Sequence, residues 1–168
     1  MTEEHASYMK LALKEAENAF QAGEFPVGCL FVHEGRVVAA GGRKNSGIGG
    51  NEFDHAENVA LRTLLEIDPG LDFSTVTVYS TMEPCLMCFT TLILNGFRTI
   101  VYGFEDVMGG GSRLELERLP PLYSSMEITI VPGICRRACL DLFQRYFKDE
   151  KNEYWRDSAL SIYTLDQD

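Results

Sequence analysis

The chain has 168 residues and a formal net charge of −10, with 25 acidic against 15 basic side chains. This length predicts a single domain over residues 1–168, long enough to bury its own core. The hydrophobic fraction of 45% is ordinary for a soluble globular protein, and no apolar run approaches membrane-spanning length. The acidic charge and the lack of a basic stripe disfavour a polynucleotide partner, because phosphate neutralisation supplies most nucleic-acid affinity.

Cysteine usage and the first residues indicate a compartment. The five cysteines are an odd count, and Cys85 and Cys88 form a tight C-x-x-C pair. This pattern is typical of metal-binding thiols in a reducing environment, not of a disulfide framework. Residues 1–5 are acidic and polar, unlike a secretory signal. We therefore expect a cytoplasmic protein.

The first half of the chain alternates helical and strand patterns. Apolar residues fall on one face of the first segment, and two short apolar runs around a Glu34-Gly35 turn predict a β-hairpin. Asp54 or Asn51 is the candidate N-cap of a second helix. The predicted elements are a helix over 4–22 that ends at Gly23, strands over 26–32 and 37–40, a glycine-rich loop over 41–50, and a helix over 55–66 that ends at Asp68-Pro69-Gly70.

The second half continues this alternation, which predicts an α/β layered domain. Pro84 is a favourable start for a helix, and Asn95-Gly96 is a favourable end. The predicted elements are strands over 76–80, 99–102 and 127–131, a helix over 84–95, a glycine-rich loop over 109–112, and helices over 135–147 and 154–162.

Four side chains in two motifs carry the candidate chemistry: His55 and Glu57, then Cys85 and Cys88. Catalytic zinc takes three protein ligands and keeps one position open. The two thiols lie three residues apart at a predicted helix start, where the helix dipole favours thiolates. His55 supplies a third ligand, and Glu57 is placed to face the open position.

This arrangement predicts metal-assisted hydrolysis. Zinc lowers the pKa of a bound water, and Glu57 takes the water's proton and delivers it to a leaving amine. A structural zinc site would need a fourth protein ligand, which Cys135 or Cys139 could offer in principle. Those two cysteines lie in an apolar-faced helix, so we interpret them as buried core thiols.

With these residues in view, the chain resembles the cytidine deaminase-like superfamily, whose zinc-dependent base deaminases carry an H-x-E…P-C-x-x-C signature. It is most similar to the branch that holds tRNA-specific adenosine deaminase, guanine deaminase and cytosine deaminase. The resemblance implies a three-layer α/β/α sandwich with a five-stranded mixed sheet, a zinc cofactor and a homodimer. The motifs that carry it are Pro26-Val27-Gly28, Asn45, His55-Ala56-Glu57, Glu83-Pro84-Cys85-Leu86-Met87-Cys88 and Tyr102-Gly103.

The resemblance also implies roles for single positions. It makes His55, Cys85 and Cys88 the zinc ligands and Glu57 the proton shuttle. It makes Asn45 a candidate base-contacting amide, for which a plain turn residue is the alternative. It places Ala56 and Glu83 in or beside the substrate pocket, and the Gly109–Ser112 loop near the active site or at a surface turn.

Several departures bear on the substrate. Phe53-Asp54 stands where the tRNA enzymes place small residues. This pair serves either to reshape the pocket or bind an amine-bearing base, or as a packed residue and a helix cap. Ser46 replaces a common arginine. Residues 148–168 carry six acids against three bases. The tail segment Tyr154–Asp157 is similar to the segment that covers the pocket in cytosine and guanine deaminases.

We therefore predict an aminohydrolase that removes the exocyclic amine of a small heterocyclic substrate, with guanine or cytosine as the first hypothesis. The first alternative is a tRNA-specific adenosine deaminase that converts wobble adenosine to inosine. The second is a catalytically silent zinc-binding partner subunit, which the presence of Glu57 argues against. No membrane association is expected.

Overall fold

The computed structural model describes residues 2–47 and 49–168. Its strands are β1 (Gly28–His33), β2 (Arg36–Gly42), β3 (Thr77–Met82), β4 (Thr99–Phe104) and β5 (Thr129–Val131). They form one sheet in the order β2-β1-β3-β4-β5. β1 is antiparallel to both β2 and β3, and β3, β4 and β5 run parallel. The sheet is therefore mixed.

Helices cover both faces of this sheet. They are α1 (Thr2–Gln21), α2 (Ala56–Ile67), α3 (Leu86–Leu94), α4 (Pro121–Ser124), α5 (Arg136–Lys148) and α6 (Ala159–Leu165). Helices α1 and α5 contact each other and the sheet, and α2 and α3 pair on the other side. This arrangement confirms the predicted three-layer α/β/α sandwich. Across the described residues, no helix combines the length and the apolar character needed to cross a membrane.

The topology brings two helix starts to one edge of the sheet. Strands β2 and β3 point the same way, because both are antiparallel to β1. The chain leaves β2 toward α2 and leaves β3 toward α3, so both helices begin near the carboxyl ends of their strands. This edge is where α/β sheets usually bind ligands.

Close approach of α1 to β1 depends on Gly28. A Cβ atom at this position would lie 2.2 Å from the carbonyl oxygen of Ala12 and 2.4 Å from the amide nitrogen of Ala16. Both alanines are fully buried. The small side chains therefore let helix and strand backbones pack almost directly on each other.

The structure corrects several boundaries. Strand β2 continues through Gly42, into the predicted loop, because Gly41 and Gly42 pair with Cys29 and Gly28. The N-cap of α2 is His55, so the prediction of Asp54 or Asn51 as the cap is wrong. The Asn51 side chain instead accepts hydrogen bonds from the backbone amides of residues 53 and 54.

The predicted helix over 154–162 begins later than expected. Trp155 and Asp157 adopt left-handed backbone conformations, with φ of 58° and 59°. Ser158 then caps α6 by accepting a hydrogen bond from the amide of Ser161. The Tyr154 ring packs 5.4 Å from that of Phe25, centroid to centroid. This tertiary contact is made by an irregular segment that precedes the helix.

Candidate active site

Three side chains from two distant segments of the sequence converge at the sheet edge. His55 is the N-cap of α2, Cys85 is the N-cap of α3, and Cys88 lies in the first turn of α3. Their ligand atoms all lie within 4.8 Å of one another, and Cys85 Sγ is 3.5 Å from His55 Nδ1. The structure thus brings together all three predicted metal ligands.

The spacing and donor types suit zinc. Tetrahedral bonds of about 2.3 Å to sulfur and about 2.0 Å to nitrogen place neighbouring ligand atoms roughly 3.5–3.8 Å apart. A hydrogen bond from Cys88, aided by His55 and opposed by burial, lowers the pKa of Cys85 to about 4. A thiolate is therefore available as a ligand near neutral pH.

Glu57 stands beside this triad in the first turn of α2, two residues after His55. Its side chain is buried, and Ser80 Oγ donates a hydrogen bond to Oε1 over 3.1 Å. Burial raises the pKa of the Glu57 carboxyl, and the negative charge of Cys85 adds to this effect. A carboxyl group in such a setting is suited to exchanging a proton.

His55, Glu57 and Cys85 line a cavity of about 420 Å³, and Cys88 lies buried behind them. This volume accommodates a single base or nucleoside. The wall is mainly apolar, with a few charged groups. The lining residues are Phe25, Val27, Arg43, Glu52, His55, Ala56, Glu57, Met82, Glu83, Cys85, Asp106, Met108, Gly109, Tyr154, Trp155 and Leu160.

The glycine-rich loop after β4 forms one side of this cavity. Gly109 lines it, and a Cβ atom on Gly110 would lie 2.5 Å from Cδ of Glu83. The Glu83 carboxylate accepts hydrogen bonds from the amides of Asp106 and Ser112. Glu83 therefore lies at the cavity, as expected, and also fixes the loop that encloses it.

Of the other predicted substrate-binding residues, one lines the cavity and one does not. Ala56 lines the cavity. The side-chain amide of Asn45 donates a 2.7 Å hydrogen bond to Asp54, and neither residue is among those lining the cavity. Phe53 is 66% exposed and lies outside the lining as well. The base-contacting role of Asn45 stays a prediction.

Several residues that line the cavity are not among the predicted site residues. Arg43 and Glu52 come from the loop between β2 and α2, and Asp106 follows β4. Asp106 follows a parallel strand, a position from which its place at this edge could have been inferred. Burial raises the pKa of the Asp106 carboxyl, although it accepts hydrogen bonds from the amides of Met108 and Gly109.

The remaining candidate thiols lie elsewhere. Cys139 is buried in α5, where its Sγ lies 2.3 Å from the position a Cβ atom on Gly103 would take. Cys135 is partly buried and its thiol lies 3.8 Å from the carbonyl oxygen of Ala6. Among the described residues, the one His/Cys/Asp/Glu cluster suited to a metal is His55, Cys85 and Cys88. Within residues 2–47 and 49–168, no fourth His, Cys, Asp or Glu joins this cluster. A catalytic zinc site likewise has three protein ligands and one open position.

The sandwich fold, the open triad and the adjacent buried carboxyl define a zinc-dependent deaminase. Residues 2–104 match the family described as the cytidine and deoxycytidylate deaminase zinc-binding region. The chain belongs to this family and is a hydrolytic enzyme acting on C–N bonds. When bound by the triad, zinc supplies Lewis acidity and lowers the pKa of a water molecule.

Two relatives are similar to this chain over most of its length. It is 31% identical over 160 residues to tRNA-specific adenosine deaminase 2 of Xenopus tropicalis, covering 89% of this chain and 92% of that protein. It is also 31% identical over 153 residues to tRNA-specific adenosine deaminase subunit tad2 of Schizosaccharomyces pombe, covering 88% of this chain but only 38% of that protein.

A solved structure extends this likeness to three dimensions. It comes from work on A-to-I editing by tRNA:A34 deaminases at the wobble position of transfer RNA. The two chains superpose with a TM-score of 0.71 at 27% identity, covering 81% of this chain and 98% of the other.

Proposed function

We propose that this protein deaminates adenosine in a transfer RNA, with inosine and ammonia as products. The observation that carries the proposal is the match over 89% of the chain to a tRNA-specific adenosine deaminase of nearly the same length. On sequence alone, deamination of a tRNA adenosine is the first alternative to a small free substrate. The similarity to tRNA-specific adenosine deaminases is stronger evidence for a tRNA substrate than the negative net charge is against one.

The cavity is compatible with such a substrate if the target base leaves its stack. A volume of about 420 Å³ holds one base between Glu57 and the aromatic pair Tyr154 and Trp155. Enzymes that modify a base in a polynucleotide extrude it into a pocket of this kind. The backbone flanking the flipped nucleotide would then remain outside the cavity.

A free base or nucleoside is the second candidate, and the tail favours it. Tyr154 and Trp155 line the cavity from a segment close to the carboxyl terminus. Residues 148–168 carry six acids against three bases, which opposes contact with phosphates. In this case the tail would enclose the substrate completely.

One experiment separates these candidates. Purified protein is incubated with an anticodon stem-loop carrying adenosine, and in parallel with adenine, guanine, cytosine and their nucleosides. Inosine in the RNA, with no ammonia from the small compounds, is the expected result. Ammonia from a free base or nucleoside, with unmodified RNA, would replace the first candidate by the second. Loss of RNA activity as salt rises would further support phosphate contacts.

We further propose that the working unit is a homodimer in the cytoplasm and that residues 1–168 form one catalytic domain. Glu57 is proposed as the proton shuttle, with His55, Cys85 and Cys88 as ligands. The position of Glu57 beside the triad supports the proposal that this chain is itself catalytic. It argues against a catalytically silent partner subunit. Sedimentation of the purified protein would test the dimer.

A further inference from the structure

The second ring nitrogen of His55 contacts a carboxylate. Nδ1 faces Cys85, and Nε2 lies 3.1 Å from Oε2 of Glu52. A histidine that binds a metal through one nitrogen usually donates its other N–H to such a group. This contact fixes both the tautomer and the orientation of the ring.

The same Glu52 oxygen also binds the C-terminal segment. The hydroxyl of Tyr154 donates to Oε2 over 2.8 Å. Tyr154 and its neighbour Trp155 line the cavity. One carboxylate oxygen therefore joins the metal ligand to the residues that cover the site.

Arg43 completes the environment of this oxygen. Its Nη2 lies 3.5 Å from Glu52 Oε2, and its guanidinium lies 5.5 Å from the centroid of the Tyr154 ring. The Arg43 side chain is buried and donates to the carbonyl oxygens of Lys44 and Asn51. Its position is thereby fixed, so it limits where the Glu52 carboxylate can settle.

We propose that Glu52 is a positioning residue that orients His55 toward the metal and, through Tyr154, holds residues 154–155 over the cavity. Metal binding at Nδ1 requires a neutral ring whose proton sits on Nε2, and Glu52 accepts that proton's hydrogen bond. The link works in both directions, because binding free energies coupled between two sites are reciprocal. This role of Glu52 rests on the zinc site and is independent of which base is the substrate.

The exposure of the Glu52 side chain sets the expected size of its effect on zinc affinity. The Glu52 side chain is 63% exposed, and isolated exposed ion pairs contribute little. Loss of the carboxylate partner of a metal-bound histidine typically weakens metal binding 10–100-fold. We therefore expect an effect of about tenfold, at the lower end of that range.

Zinc affinity tests the first half of the proposal. Zinc dissociation constants are measured on the full chain by competition with a chromogenic chelator, with the absorption spectrum of the Co²⁺-loaded protein as a second readout. Glu52→Ala should weaken zinc binding about tenfold and alter the Co²⁺ spectrum. Glu52→Gln should recover part of the affinity, since its amide oxygen can still accept from His55.

Glu66→Ala, which removes an exposed acid from the far end of α2, is the control. It should leave both readouts unchanged. Circular dichroism establishes whether each variant is folded. If Glu52→Ala is unfolded, the zinc affinity and Co²⁺ spectrum of Glu52→Gln provide the test. Zinc affinity within twofold of wild type in a folded Glu52→Ala or Glu52→Gln protein, with an unchanged Co²⁺ spectrum, would overturn the positioning role.

Trp155 tests the second half, since it is the only tryptophan in the chain. Zinc added to metal-free wild-type protein should shift the Trp155 emission, because Glu52 links His55 to the neighbouring Tyr154. Tyr154→Phe keeps the ring but loses the hydroxyl, so most of this shift should disappear. Tyr123→Phe, a change in α4, should behave like wild type. A full shift in Tyr154→Phe would overturn the link between metal and tail.

Discussion

Ser80 on β3 donates a hydrogen bond to Glu57 on α2 across the interior of the protein, over 3.1 Å. The bond holds a buried carboxylate oxygen in place beside the metal triad. Cys29 of β1 lies near the same carboxylate, and burial together with the charge of Glu57 raises the pKa of that thiol. Cys29 is not among the side chains whose ligand atoms come together as a possible metal site.

Replacement of Glu57 should separate catalysis from metal binding. Glu57→Ala removes the carboxylate that we propose moves the proton, and Glu57→Gln does so with little change of volume. Each should lower kcat by about 10²–10⁴-fold, the usual contribution of a general acid–base. Zinc content, measured by atomic emission, should stay at the wild-type level. Activity above a tenth of wild type in both variants would remove Glu57 from the mechanism.

The cysteines should differ sharply in their effect on the metal. Cys85→Ala or Cys85→Ser should abolish stoichiometric zinc, because the triad has no spare protein ligand. Cys135→Ser, a matched change at a thiol outside the cluster, should retain zinc. The measurement is zinc content after dialysis against a weak chelator. Zinc retained in Cys85→Ser would point to a different ligand set.

Gly28 should tolerate no side chain. Gly28→Ala places a methyl group against the backbone of α1, where neither Ala12 nor Ala16 can move aside. We expect the free energy of unfolding to fall by about 3 kcal/mol, at the upper end for overpacking. Gly70→Ala, whose added Cβ would meet only the side chain of Asp68 at 3.8 Å, should change it by less than about 0.5 kcal/mol. Urea unfolding of both variants provides the comparison, and equal losses would contradict the packing argument.

A carboxylate near the C-terminal helix should give the stability a defined acid dependence. The guanidinium of Arg136 and, after it, the hydroxyl of Tyr163 hold the pKa of Glu105 at about 2, against the opposing effect of burial. A pKa lowered by folding stabilises the protein above the unfolded value of about 4.3, and that stability is lost as pH falls toward 2.

Glu105→Gln should therefore be less stable than wild type by about 1 kcal/mol near neutral pH, as for a partly exposed pair. This difference should shrink between about pH 5 and pH 2. Glu117→Gln, a change at an exposed acid, should show no such trend. Urea unfolding across this range gives the curves. A constant difference for Glu105→Gln would show that its ion pair with Arg136 does not anchor α5 electrostatically.

Most of the fold followed from local patterns. Helical periodicity with cap and turn residues located α1 and α2, and short apolar or β-branched runs located all five strands, because those elements bury one face or lie within the sheet. The short α4 was missed, since a single turn has no periodicity. The start of α6 was misplaced, because Tyr154 is held by Phe25, Arg43 and Glu52 from distant parts of the chain.

The sequence by itself determined the metal triad and Glu57, because zinc hydrolysis admits few residue types and their spacing at two helix starts is distinctive. The tertiary structure alone decided what surrounds them. Strands β2, β3 and β4 end at one edge of the sheet, and that edge collects Glu52, Asp106 and the C-terminal segment around the triad. Contacts between residues a hundred positions apart, such as Glu52 with Tyr154, leave no periodic trace in the sequence. They depend on the direction of the strands and the packing of the helices.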